Sequence, residues 1–124
     1  MSWLGALMRP RTARQIAGDA GEQQALNYLL QRGLTLVERN FRCKGGEIDL
    51  IMRERDMLVF VEVRKRADGR YGGAAASVTA RKQARLVIAA QVFLQRISSP
   101  PACRFDVVAI EAGEIQWLKN VIDS

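Results

Sequence analysis

GEIDLI at residues 46–51 and VFVEVRKR at residues 59–66 decide how this chain is read. Side chains on a strand alternate between its two faces. On the first stretch Glu47, Asp49 and Ile51 share one face, while Ile48, Leu50 and Met52 share the other. On the second, Leu58, Phe60, Glu62 and Arg64 lie together, with Val59, Val61 and Val63 behind them. The polar run Arg53-Glu54-Arg55-Asp56 reads as the turn. A tight hairpin centred between Arg55 and Asp56 sets Asp49 opposite Glu62 and Glu47 opposite Arg64. A slip of two residues still leaves Asp49 and Glu62 on one face.

Two carboxylates facing each other across a ladder repel, and burial makes the repulsion costlier. A divalent cation removes the conflict, because each oxygen becomes a ligand. A plainer arrangement stays open, with Glu47 and Arg64 as a cross-strand ion pair and Glu62 on a solvated face.

Around this hairpin the chain organises itself as follows. Residues 1–16 read as a basic arm, and 17–124 as one domain. Residues 17–32 have helical spacing, with a stripe of Ala25, Leu26, Leu29 and Leu30 and a closing Gly33. Asp19 and Glu22 have the spacing of a capping box at its start. Glu22 also precedes Ala25, Leu26 and Leu29 by three, four and seven residues, so it points along the buried stripe. Leu34 to Phe41 reads as a strand. Gly69 to Ala76 is a small-sided loop. Ser77 or Thr79 caps a helix to about Ile97, with Ala84, Val87, Ala90, Leu94 and Ile97 on its apolar side. Phe105 to Ile110 and Ile115 to Leu118 are further strands. Helix, strands, helix, strands predicts an α/β sandwich on a mixed sheet.

Composition narrows the chemistry. The 124 residues contain no histidine, which excludes Ser-His-Asp and Cys-His machinery and any imidazole-bound zinc. Cys43 and Cys103 are far apart in sequence and form no C-x-x-C pair. Catalysis must rest on carboxylates, Lys/Arg or hydroxyls, and a metal would take oxygen ligands, as magnesium or manganese does. No stretch reaches the roughly 18 apolar residues of a membrane span. The arginines Arg9, Arg11 and Arg14 follow the apolar Trp3–Met8 run, the reverse of a secretory signal, so a cytoplasmic protein is expected.

The net charge of +6 is unevenly laid out. Residues 1–46 sum to +4, residues 47–62 to −3, residues 63–85 to +6 and the remainder to −1. An acidic island thus lies between two basic stretches. Fifteen of the 19 cations are arginine, whose planar fork suits phosphate. Arg64, Lys65, Arg66, Arg70, Arg81, Lys82 and Arg85 frame the glycine-rich loop. Cations at the first turns of a helix oppose its dipole, and Arg81 and Arg85 repel at a spacing of four. A phosphate backbone would relieve both strains, and a solvated charged face is the plain alternative. Asp106 shares a strand face with Val108 and Ile110, and either ties down a loop or stands near the acids. Trp3 and Trp117 read as packing residues, and Tyr71 as a base-stacking candidate.

Taken in order, GEIDLI and VFVEVRKR resemble the D…(D/E)-x-K motif of restriction-endonuclease-like nucleases. GDAGEQQALNYL (18–29), TARKQ (79–83) and RFDVVAI (104–110) extend the resemblance over almost the whole chain. It is closest to the YraN-like family of small bacterial proteins, which is similar to archaeal Holliday-junction resolvases. The resemblance implies a three-layer sandwich, a mixed β-sheet flanked by helices. It implies a metal-dependent endonuclease on structured nucleic acid, DNA more than RNA, with branched DNA as the substrate type. Asp49 and Glu62 would be ligands for magnesium or manganese, and Glu22 would support that site. Arg64 stands where the motif has lysine. Arginine stays protonated and cannot be a general base, though it can hold a phosphate. A non-catalytic nucleic-acid-binding protein with a degenerate nuclease site is the alternative. Resolvases also suggest a homodimer, by analogy.

Overall fold

A computed structural model describes the backbone of residues 13–66 and 79–122, with side chains from 20 to 65 and 79 to 122. Alternating aliphatic runs at 46–54 and 57–66 give two long strands joined by the Arg55-Asp56 turn, and everything else packs on them. In chain order the elements are α1 (Ala13–Gln31), β1 (Thr35–Cys43), β2 (Gly46–Glu54), β3 (Met57–Arg66), α2 (Ala80–Leu94), β4 (Cys103–Glu111) and β5 (Glu114–Leu118). The sheet order is β1-β2-β3-β4-β5, antiparallel except for the parallel pair β3–β4, whose connection includes α2. Antiparallel neighbours need only tight turns, whereas a parallel pair needs a crossover.

The two helices cover opposite faces. Ala25, Leu26 and Leu29 of α1 pack on Leu50, Met52, Val59, Val61 and Val108. Leu86, Ala89, Ala90 and Phe93 of α2 pack on Phe41, Ile51, Leu58, Phe60 and Phe105. Period-two alternation along β3 thus feeds two cores at once, which makes the three-layer α/β/α sandwich of the restriction-endonuclease-like type. No helix among the described residues is long and apolar enough to cross a membrane.

The elements differ from the sequence reading in five places. The first helix begins at Ala13, so Asp19 and Glu22 stand inside it and cannot form a capping box. Its end is as expected: Gly33 takes a φ of +92°, and Leu34 donates to the Leu29 carbonyl at 3.2 Å. Leu30 is 44% exposed and leaves the stripe. The apolar side of α2 is centred on Leu86, Ala89, Ala90 and Phe93, with Ala84 exposed and Val87, Leu94 and Ile97 partly buried. Phe93 sets that rotation, packing edge-on to Phe41 and Phe60. Regular helix stops at Leu94, and the chain reaches Ile97 in tighter turns.

The fifth difference shapes the site. Alternation predicts Ile48 beside Leu50 and Met52, yet Ile48 packs with Phe41 and Ile51 on the α2 side. Between the pairs Arg39↔Leu50 and Phe41↔Ile48, Asn40 takes a φ of +52°. Asparagine tolerates this left-handed conformation, and the outer end of the β1–β2 hairpin is turned there. The residue facing Asn40 in that register is Asp49.

Candidate functional site

The β2–β3 register is the one expected from the turn, running from Glu54↔Met57 to Leu50↔Val61. The ladder stops there, one pair short of Asp49 and Glu62. In place of a backbone pair, the Asp49 carboxylate accepts a hydrogen bond from the Val63 N–H at 2.9 Å. Glu62 stands beside it, near enough for the two acids to influence each other's charge. The strands therefore part at the point where two acids meet.

Burial pushes the Asp49 carboxyl upward, opposed by the Val63 bond. Burial, and then the Asp49 charge, push Glu62 up to about 7, with Arg64 and Lys82 pulling the other way. Burial and the neighbouring negative charge thus both favour a proton on Glu62 up to near neutral pH. The ion pair from Arg64 Nη1 to Glu62 Oε1 is 3.5 Å long, well beyond the roughly 2.7–2.9 Å of a strong charge-assisted bond.

A cleft of about 350 Å³ opens over Glu62, lined by Glu47, Glu62, Arg64, Thr79, Arg81, Lys82, Arg85 and Leu86. Its far wall is the start of α2. Thr79 is the N-cap, accepting from the Lys82 N–H at 3.3 Å, and Arg81, Lys82 and Arg85 follow within two turns. Gly46 sets how closely this wall approaches. A Cβ there would run into the Arg85 carbonyl and lie 2.9 Å from the Ala89 nitrogen, so only glycine lets β2 start against α2. Glu62 and Arg64 stand on the C-terminal half of β3, where open α/β sheets hold their sites.

The structure thus brings together Asp49, Glu62, Arg64, Arg81, Lys82 and Arg85. Glu47 joins them as a cleft residue. Its ion partner is Arg42 across the β1–β2 ladder at 3.8 Å, not Arg64. Lys65 does not join the cleft. A Cβ on Gly21 of α1 would lie 3.3 Å from its side chain, which puts Lys65 on the opposite face. Glu22 is buried at 6% exposure on the α1 side, where Arg39 donates to it at 3.2 Å and to Gln23 at 2.8 Å. The Arg66 side chain, Arg70, Tyr71, Ser77 and Trp3 lie outside the described residues. Asp106 resolves as a structural residue: fully buried, it accepts from Arg104, Trp117 and the Asn120 N–H. Trp117 packs against Val108 and is capped by Lys119 at 4.3 Å. Sequence spacing carried no sign of Arg39, whereas the glycine opening GEIDLI was a legible hint of the close approach at Gly46.

The donor set has a definite size. Among the described residues no three acidic or cysteine side chains gather as a metal cage. Two neighbouring carboxylates suit magnesium or manganese, which are commonly held by one or two carboxylates with water and substrate phosphate completing the shell.

Fold and site together define a restriction-endonuclease-like α/β domain with neighbouring acids on its adjacent strands β2 and β3, below a basic helix start. The chain belongs to the uncharacterised protein family UPF0102, whose model matches residues 21–110. It is 69% identical over 118 residues to a UPF0102 protein of Herminiimonas arsenicoxydans, covering 95% of each chain. It is 63% identical over 121 residues to one from Janthinobacterium sp. (strain Marseille), covering 98% of each. With one from Methylibium petroleiphilum it shares 57% over 114 residues, which is 86% of this chain and 93% of the relative.

Proposed function

We propose that this protein is a magnesium- or manganese-dependent endonuclease that hydrolyses phosphodiester bonds in structured nucleic acid, DNA before RNA, in the cytoplasm. The observation that carries this reading is that Glu62, with Asp49 as a neighbouring acid, lines a cleft whose far wall is Arg81, Lys82 and Arg85. Neighbouring acids of which one keeps a proton near neutral pH are poised to share a cation instead, and a cationic wall beside them suits the substrate backbone.

In this role Asp49 and Glu62 hold the ion, and the Val63 N–H fixes the orientation of Asp49. When bound, such an ion lowers the pKa of a water and offsets charge on the phosphoryl oxygens. Arg81, Lys82 and Arg85 grip the backbone phosphates, so affinity falls steeply as salt rises. Arg64 steadies negative charge and removes no proton. Glu22 acts from the other face of the sheet as a support, through its bond to Arg39. A homodimer would present two such clefts to a branched substrate.

A second reading has an observation of its own. Arg64 replaces the motif lysine and already pairs with Glu62, which suits a protein that binds nucleic acid without cutting it. Incubation with branched, single-stranded and duplex nucleic acid in manganese separates the two. Cleavage by the wild type and none by Asp49→Ala supports the nuclease. Salt-sensitive binding with every substrate left intact supports the binder.

A further inference from the structure

Arg64 is the residue least explained by the nuclease motif. It reaches Glu62 at 3.5 Å with 26% of its side chain exposed, against 14% for Glu62. The contact is long and lies on the wall of the cleft, facing the place where a substrate phosphate would enter. Another half-buried ion pair of the sheet, Arg104 Nη1 to Glu54 Oε1, closes to 2.7 Å. A loose ion pair in a low-dielectric cleft supplies charge balance yet is easily exchanged for a better partner.

We infer that Arg64 is a resident counter-ion: in the metal-free protein it occupies Glu62 in place of a divalent cation, and it moves to a substrate phosphate when the cation binds. This inference rests on the reading of Asp49 and Glu62 as metal ligands. It deepens that reading, because it makes metal and nucleic acid help each other. The cation releases Arg64 for the backbone, and a phosphate that draws Arg64 away frees Glu62 for the cation. The coupling is reciprocal, as binding linkage requires. Arg64 is a positioning residue here, acting on the metal through Glu62, and arginine suits the role because it is always charged and its fork fits carboxylate and phosphate alike.

Two requirements follow. Removing Arg64 strengthens metal binding when no nucleic acid is present, an effect that a merely structural arginine would not have. The strengthening is also specific to Arg64. Arg85 lines the same cleft without pairing with Glu62, so its removal changes only the general field.

The experiment is calorimetric titration of manganese into the wild type, Arg64→Gln, Arg85→Gln and Asp49→Ala, with melting temperatures recorded with and without the ion. The expected result is about tenfold tighter binding for Arg64→Gln and no more than about twofold for Arg85→Gln. Arg64→Gln also shows the larger rise in melting temperature on adding manganese, which keeps the test readable if that variant is unstable without the ion. Arg64→Lys keeps the charge and stays near the wild type. Equal gains for Arg64→Gln and Arg85→Gln, or no gain for either, overturn the counter-ion role while leaving the metal site standing. Absence of manganese binding in the wild type and both arginine variants overturns the metal site itself, and the counter-ion role falls with it.

Discussion

Asp106 and Glu62 are acids on adjacent central strands, β4 and β3, of one sheet, and their surroundings are opposite. Arg104 Nε donates to both Asp106 oxygens at 3.0 and 3.1 Å, Trp117 Nε1 donates at 2.8 Å and the Asn120 N–H at 2.9 Å. The same arginine holds Glu54 at 2.7 Å and keeps its carboxyl below the ordinary carboxylate value. Glu62 instead has a second acid beside it and one long ion pair, and its pKa rises to about 7. The Asp106 cluster ties the β2–β3 turn to β4 and to the segment after β5. Every Asp106 oxygen has a donor, and Arg104 Nη2 is left buried without an acceptor. The Glu62 cluster is short of positive charge at its centre while three cations line the opposite wall, which is the arrangement expected of a place that receives something.

If that contrast is correct, deleting an acid has opposite consequences in the two clusters. Asp106→Ala strands Arg104 and two further donors around a buried site and costs about 3–5 kcal/mol of stability, measured by chemical denaturation. Asp49→Asn, which keeps an acceptor for Val63 and removes the repulsion, leaves the metal-free protein within about 1 kcal/mol of wild type or makes it more stable. Equal losses in the two variants would erase the distinction.

The pH dependence sharpens it further. The folded protein keeps a proton on Glu62 over a range, from the ordinary 4.5 of a glutamate to about 7, in which the unfolded chain has released it. Stability is therefore fully present below about 4.5 and is lost as pH rises through 7, by on the order of 2–3 kcal/mol for the metal-free protein. Thermal unfolding from pH 5 to 8 checks this, with Glu62→Gln and added manganese each expected to flatten the curve. A wild-type profile already flat without metal contradicts the retained proton.

Two smaller effects probe the cleft wall. Gly46→Ala pushes on the Arg85 carbonyl and costs about 1–3 kcal/mol, as overpacking does. It also weakens salt-sensitive binding of nucleic acid, because the cations of α2 move with the helix. Thr79→Ala removes the cap and costs about 1 kcal/mol or less. Melting temperatures together with binding at two salt concentrations distinguish the two. An unchanged affinity in Gly46→Ala would detach the helix from the site.

Much of this was legible in the sequence because period-two patterning and turn chemistry are local. Val59, Val61, Leu58 and Phe60 declare two faces for β3, and Arg55-Asp56 fixes the register that brings Asp49 to Glu62. What stayed hidden depends on distant partners. Nothing local shows that Asn40 turns left-handed across from Asp49 and carries Ile48 to the other core. Glu47 and Arg64 are register partners on paper, but the ladder ends before reaching them, so Glu47 finds Arg42. Asp106 could not be assigned from its strand alone, because its donors arrive from β5 and the segment beyond it. Alternation from Arg64 puts Lys65 on the far face, against Gly21, so it leaves the cations that the sequence grouped around the loop.

The most direct test is a crystal of the wild type soaked in manganese and examined for anomalous scattering. A peak within coordination distance of both the Asp49 and Glu62 carboxylates, with Arg64 drawn away from Glu62, is the predicted result. No peak between these acids at saturating manganese, with the 3.5 Å pair to Arg64 intact, would contradict the account.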